Sequence, residues 1–174
     1  TVTGLTNGTG YTFTTTATNA SGTSSASTAS NSVTPVQPPP GTPPAPTAVT
    51  GDTQATVTVA AGSGGTPSSY LVTASPGGAT CTVTGASGSC NVTGLTNGTA
   101  YTFTTTATNT GGTSAASPAS NSVTPLETPG TPPAPTAVTG DTQATVTVAA
   151  GSGGTPASYL VTAAPGGATC TVTG

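Results

Sequence analysis

The chain of 174 residues contains no Lys, Arg or His, and its formal charge of −3 comes from Asp52, Glu127 and Asp141 alone. A nucleic-acid backbone is bound by cationic side chains that displace its counterions, so nucleic acid is excluded as a partner. Anionic membrane surfaces are excluded for the same reason. No apolar run approaches the ~18 residues that a spanning helix needs, so membrane insertion is not expected either. Trp, Met and Ile are missing too, and aromatic residues make up only 3%, so a core has few large side chains to draw on. The lack of His and Lys reaches into chemistry, because a Ser or Thr nucleophile needs a neighbouring general base. The stretch GSGGTP (62–67) has the glycines of a phosphate loop but neither its Lys nor a following helix, and reads as a turn.

What is present is threonine, about a quarter of the residues, with abundant Gly, Ser, Ala and Pro. Thr is β-branched and stiff at its first side-chain torsion, which favours strands over helices. Disordered chains combine low hydrophobicity with high net charge, whereas this one is nearly neutral and places Val, Tyr and Phe at regular intervals, which points to a folded all-β protein. A surface with almost no charge also lacks the mutual repulsion that keeps proteins apart, which favours self-association.

The chain repeats itself. GLTNGTGYTFTTTATN (4–19) returns as GLTNGTAYTFTTTATN (94–109), and ATVTVAAGSGGTP (55–67) returns intact at 144–156. The spacing is 90 residues for the first pair and 89 for the second. The lost residue falls between VTPVQPPPGTPP (33–44) and VTPLETPGTPP (123–133), which marks these proline-rich stretches as linkers of extended, unpaired backbone. Five segments follow. Residues 1–35 hold the last three strands of a module, 36–44 a linker, 45–125 a complete module, 126–133 a second linker, and 134–174 the first four strands of the next module.

Within 45–125 the strand signals are Thr47–Val49, ATVTVA (55–60), SYLVTA (69–74), TCTVT (80–84), CNVTGL (90–95), YTFTTTATN (101–109) and SNSVTP (120–125). Gly, Asn and Pro mark the breaks, as in a two-sheet Greek-key sandwich. The set Leu95, Gly98, Tyr101, Phe103, Ala107, Asn109, Gly112 and Ser114, with Tyr70 and Val72, resembles the fibronectin type III module, in the version common as tandem repeats in secreted bacterial proteins. The resemblance implies an all-β chain of tandem, immunoglobulin-like Greek-key sandwiches. One departure is that the second strand of this family usually carries a core Trp where this chain has Val59 and Val148. The RGD tripeptide of some animal members is absent as well, so nothing supports receptor binding through it.

Cys81 and Cys90 flank a short loop and are placed to form a local disulfide, worth roughly 2.7 kcal/mol by the loop-entropy relation. That is close to the ~3–5 kcal/mol at stake when a large core side chain is missing, so the staple offsets a thin core. Cys170 is the counterpart of Cys81, and its partner is expected past residue 174. Disulfide use places the protein outside the reducing cytosol, secreted or at a cell surface.

Asp52 and Asp141 occupy the same position in successive modules and Glu127 sits in a linker, so no two carboxylates are placed for acid–base chemistry on a glycosidic bond. No catalytic, cofactor-binding or metal residues are therefore expected, and no cofactor. A Ca²⁺ site at Asp52 or Asp141 is outweighed by an Asp that caps the GDTQ turn.

On the strand 101–109, Tyr101, Phe103, Thr105 and Ala107 share one face, assigned to the core, and Thr102, Thr104, Thr106 and Thr108 share the other. Thr12, Thr14, Thr16 and Thr18 repeat that outer row. These chargeless hydroxyl and methyl ladders are either a solvated β-favouring surface or a self-association face, with ice or glycan binding behind them. Asn7, Asn19, Asn91 and Asn97 begin N-x-S/T sequons. The function that fits best is a structural repeat protein whose copies join head to tail into an extracellular filament, sheath or surface appendage. Neighbouring copies would complete each other's split modules, through a short connecting loop or without a covalent link. The expected partner is the protein itself, with glycan or cell-surface contact left open. The alternative is a set of non-catalytic spacer modules in a secreted polysaccharide-degrading enzyme or adhesin.

Overall fold

The computed structural model describes residues 1–174 and contains strands, bridges and turns but no helix. In chain order the strands are β1 (Thr18–Asn19) and β2 (Gly22–Thr23), then β3 (Thr47–Thr50), β4 (Gln54–Val59), β5 (Ser69–Ser75), β6 (Thr80–Thr84), β7 (Gly88–Thr93), β8 (Thr102–Asn109) and β9 (Gly112–Thr113). The C-terminal part contributes β10 (Thr136–Thr139), β11 (Ala144–Thr147), β12 (Ser158–Thr162) and β13 (Thr169–Thr173).

The central module is a sandwich of a three-stranded sheet, β3-β4-β7, and a four-stranded sheet, β6-β5-β8-β9, all antiparallel. Two-residue alternation decides which side chains go inside. Ala55, Val57 and Val59 on β4, Tyr70, Val72 and Ala74 on β5, and Phe103, Thr105 and Ala107 on β8 are all buried. Val83, Val92 and Leu95 join them. With Val59 where a Trp could stand, Tyr70 and Phe103 are the largest fully buried side chains. Tyr70 keeps its polar end satisfied by donating its hydroxyl to the Ala86 carbonyl at 2.7 Å. Tyr101, at the entry to β8, accepts the Thr96 N–H on its hydroxyl at 3.0 Å, the corner that fixes this turn in such sandwiches. Burial leaves one polar group stranded, since the Thr105 hydroxyl has no hydrogen-bond partner.

The disulfide Cys81–Cys90 is formed, with 6.0 Å between the Cα atoms. Its two ends lie on β6 and β7, which belong to different sheets, so it clips the sandwich shut along one side rather than merely closing a loop.

The last strand departs from expectation. Residues 120–125 pair as a strand at only one point, the bridge Tyr101↔Val123. Between β9 and that bridge a three-residue rhythm replaces the two-residue one. Ser114, Ser117 and Ser120 donate their N–H groups to the carbonyls of Ala107, Thr105 and Phe103 at 2.8, 2.8 and 2.9 Å. The three Ser Oγ atoms accept the N–H groups of the same three residues, each at 3.0 Å. Three residues of this segment thus cover the length of two in β8, with a side-chain oxygen standing in for the missing carbonyl. Each Oγ then donates to the carbonyl of the next residue, Ala115, Pro118 or Asn121.

Residues 1–35 repeat the end of this fold in outline. Ser24, Ser27 and Ser30 make the same serine ladder to Ala17, Thr15 and Phe13. Tyr11 accepts the Thr6 N–H at 3.0 Å, and Tyr11 bridges Val33. Residues 1–5, the counterpart of β7 and its exit, pair with nothing. In the C-terminal part, β10 pairs only with β11 and β12 only with β13. These two halves carry the residues of a core without burying them: Val92 has no exposed surface, whereas its counterpart Val2 is 61% exposed. None of the counterparts of the thirteen residues in the central core cluster is buried.

Candidate functional site

No group of three or more His, Cys, Asp or Glu side chains comes together in the structure. The features that could do something are a threonine-rich surface and the two linker joints.

The surface is the outer face of the four-stranded sheet. Thr102, Thr104, Thr106 and Thr108 point away from the core, as the alternation predicts, and remain partly exposed. Strand pairing extends them into cross-strand rows. One row runs Thr84, Ser69, Thr108 and Thr113, the next Thr82, Leu71 and Thr106, and the third Thr80, Thr73 and Thr104. The hydroxyls of Thr108 and Thr113 are hydrogen-bonded at 2.9 Å. Leu71, 47% exposed, is the one large apolar side chain in this grid. Thr12, Thr14, Thr16 and Thr18 of the N-terminal half are all exposed, and Thr18 meets Thr23 through their hydroxyls at 2.8 Å.

The joint is the linker, where structure and sequence reading part. Extended, unpaired backbone was the expectation for 36–44 and 126–133, but both are pinned. Pro40 bridges Gly64 and Pro129 bridges Gly153. Asn109, buried at the end of β8, donates its side-chain amide to the carbonyls of Pro38 at 2.9 Å and Thr66 at 3.3 Å. Gly111 lies so close to the linker that a Cβ there would collide with the Gln37 carbonyl, which explains why glycine is needed. Proline density therefore signals a pre-extended strap that docks on its neighbour, not a loose tether.

Thr128 is the centre of the second joint. Its N–H and Oγ1 donate to Asp52 Oδ2 at 3.1 and 3.0 Å, while its carbonyl accepts the Gly154 N–H at 3.0 Å. One residue thus holds the central module on one side and the following half on the other. Asp52 Oδ1 accepts the Asn97 side-chain N–H at 2.8 Å. The Asn97 bond, followed by the Thr128 backbone and side-chain bonds, holds the Asp52 carboxyl below its ordinary value of 3.8. This corrects the expected role of Asp52. The GDTQ turn is closed by its own backbone, Gly51 N–H to the Gln54 carbonyl at 2.9 Å, and by Asn97 Oδ1 accepting the Thr53 N–H at 2.9 Å. The carboxylate is left free to reach across the joint. Asp141, in the same turn of the C-terminal half, makes no such side-chain bonds.

Cys170 is exposed and unpaired within residues 1–174. Of the sequon asparagines, Asn97 is occupied in the joint and Asn91 accepts the Thr56 hydroxyl at 2.8 Å.

Residues 38–123 match the family described as "Fibronectin type III domain". The match takes in the strap from Pro38 onward, in keeping with its docking on the module. Among solved structures, the chain is similar to the chicken CNTN1 FN1-FN3 domains, with 15% identity and a TM-score of 0.47, over 70% of this chain and 44% of that one. It is also similar to a structure of titin kinase and its flanking domains, with 19% identity and a TM-score of 0.42, over 51% of this chain and 17% of that one. The chain thus spans less than half the length of either. No curated protein matches it in sequence.

Proposed function

We propose, from the premise that residues 38–123 belong to the fibronectin type III family, that this chain is a structural repeat protein that assembles end to end into an extracellular filament, sheath or surface appendage. Domains of this family are generally non-catalytic and serve as structural or adhesion modules. The observation that carries the reading is the second joint, where Asp52, Thr128 and Gly154 tie successive modules together through one residue. A material gains from joints of fixed geometry, whereas a flexible tether needs none. Support comes from the disulfide, which suits an oxidising compartment, and from the near-absence of charge, which lets like surfaces meet without repulsion. The threonine grid around Leu71 is the candidate face for lateral contact between copies.

Electron microscopy of the purified chain tests this. Filaments with a regular axial repeat are expected, and a dispersed population of single particles at all concentrations overturns it. Pinned joints would also serve a non-catalytic spacer in a secreted polysaccharide-degrading enzyme or adhesin. That reading requires a catalytic or binding domain in the same open reading frame.

A further inference from the structure

We infer that the free edge of β6 in the central module pairs antiparallel with the β6 edge of a second copy, joining two four-stranded sheets into one about a two-fold axis at Thr82. This contact involves only the complete module. It goes beyond the end-to-end assembly, since it forms whether or not chains also join at their ends.

β6 pairs with β5 on one side and with nothing on the other. Its backbone polar groups alternate between the two sides. Gly85 N–H reaches the Ser68 carbonyl at 2.7 Å and Ala74 N–H the Ala79 carbonyl at 2.8 Å, and hydrogen-bonded pairs in an antiparallel ladder recur at every second residue. Tyr70–Val83 and Val72–Cys81 are therefore the bonded pairs within the strand. The N–H and carbonyl groups of Thr80, Thr82 and Thr84 are turned away from β5, and all three residues are exposed.

The other borders of the sandwich are tied off or poorly made for pairing. After β9 the serine hydroxyls take the carbonyls of their neighbours. On β3, Asn121 interrupts the open edge by accepting the Ala48 N–H and donating to the Ala48 carbonyl, both at 2.9 Å. β7 contains Gly88 and Asn91, residue types depleted in strands. β6 has none of the usual guards, neither a charge, nor a proline, nor a bulge in its register with β5. Four of its five residues are β-branched. The disulfide from Cys81 to Cys90 on β7 holds the strand in place, so little ordering is left to oppose a union.

The occupant that fits this edge is the same strand. With Thr82 opposite Thr82 of the second copy, Thr80 faces Thr84 and Thr84 faces Thr80, and each of these pairs exchanges its outward hydrogen bonds. No group is left over, because the outward residues are spaced symmetrically about Thr82. Threonines meet threonines across the seam, a favourable cross-strand pairing. The one charged side chain within 45–125 is Asp52, which precedes β4 and is not on β6, so no like charges face each other there.

The test uses the whole chain with Cys170→Ser, so that no exposed thiol couples copies. Amide hydrogen exchange is followed by NMR as the protein is concentrated. The Thr80, Thr82 and Thr84 amides are expected to exchange roughly tenfold more slowly at high concentration, with those of Cys81 and Val83, already bonded to β5, unchanged. Sedimentation should show a dimer over the same range. Thr82→Pro removes an N–H that bonds nothing inside the module, so the melting temperature should hold while the dimer is lost. Should the proline variant melt lower than the parent, Thr82→Lys leaves the backbone intact and sets like charges across the axis, and is expected to weaken the dimer roughly tenfold at low salt. Outward amides that exchange at one rate at every concentration, or a dimer equally strong in both variants, overturn the inference. Filaments that persist in the variants with those amides unprotected overturn the edge contact and leave the end-to-end assembly standing. Protection that appears only on adding an alternating Thr–Val peptide overturns the second copy as the occupant.

Discussion

The central module and the two halves that flank it are written in nearly the same residues, yet only the central module has a core. Tyr70, Val72, Ala74, Val92 and Phe103 are buried, while Tyr159, Val161, Ala163, Val2 and Phe13 are exposed to some degree. Local structure survives in the halves: hairpins, the tyrosine corner, the serine ladder and the GDTQ turn all form. Burial does not, because it requires the opposing sheet. The comparison separates what a strand owes to its own sequence from what it owes to its partners.

Substitutions at paired positions break or sharpen this contrast. The largest effect is expected from Phe103→Ala, which should lower the unfolding free energy of the central module by about 3–5 kcal/mol in denaturant titration. Phe13→Ala in the monomeric chain should leave that transition where it is. Next comes Cys81→Ser with Cys90→Ser, expected to cost about 2–3 kcal/mol by the same measurement, whereas Cys170→Ser should cost the monomer nothing. Third, Thr105→Val removes the buried hydroxyl that has no partner and should stabilise the central module by about 1 kcal/mol. Thr15→Val, at the exposed counterpart, should be neutral. A destabilised Thr105→Val would mean that the hydroxyl is satisfied after all.

The smallest effect concerns the joint. The Asp52 carboxyl is held below 3.8 by Asn97 and Thr128, so its contribution is present above the ordinary carboxylate range and is lost as pH falls through the lower folded value. Small-angle scattering should show the angle between modules broadening under strong acid. Asp52→Asn should broaden it already at neutral pH.

Much of the sandwich is legible in the sequence. The alternation in ATVTV, SYLVTA and YTFTTTATN names the inward residues of β4, β5 and β8 without error, because a two-residue period has one physical meaning in a strand. The serine ladder is not legible that way. Its signal, Ser at 114, 117 and 120 and again at 24, 27 and 30, is plain on inspection, but a period of three matches neither a strand nor a helix. The Asp52–Thr128 bond spans 76 residues and has no local pattern to betray it. The proline-rich stretches read as extended, unpaired linkers, but the same fixed backbone equally suits docking against a neighbour, and Pro40 and Pro129 each make a bridge. Nor does the spacing of Cys81 and Cys90 reveal that the intervening loop crosses from one sheet to the other.

The serine ladder also bears on how the edge of the central sheet is finished. A sheet edge usually offers a row of free N–H and C=O groups to any passing strand, and proteins commonly guard it with lysine, which this chain does not have. Here the hydroxyls of Ser114, Ser117 and Ser120 turn back onto the carbonyls of Ala115, Pro118 and Asn121. Along this border those carbonyls are thereby tied off like a selvedge, whereas β3 and β6, each paired on one side only, keep an open edge.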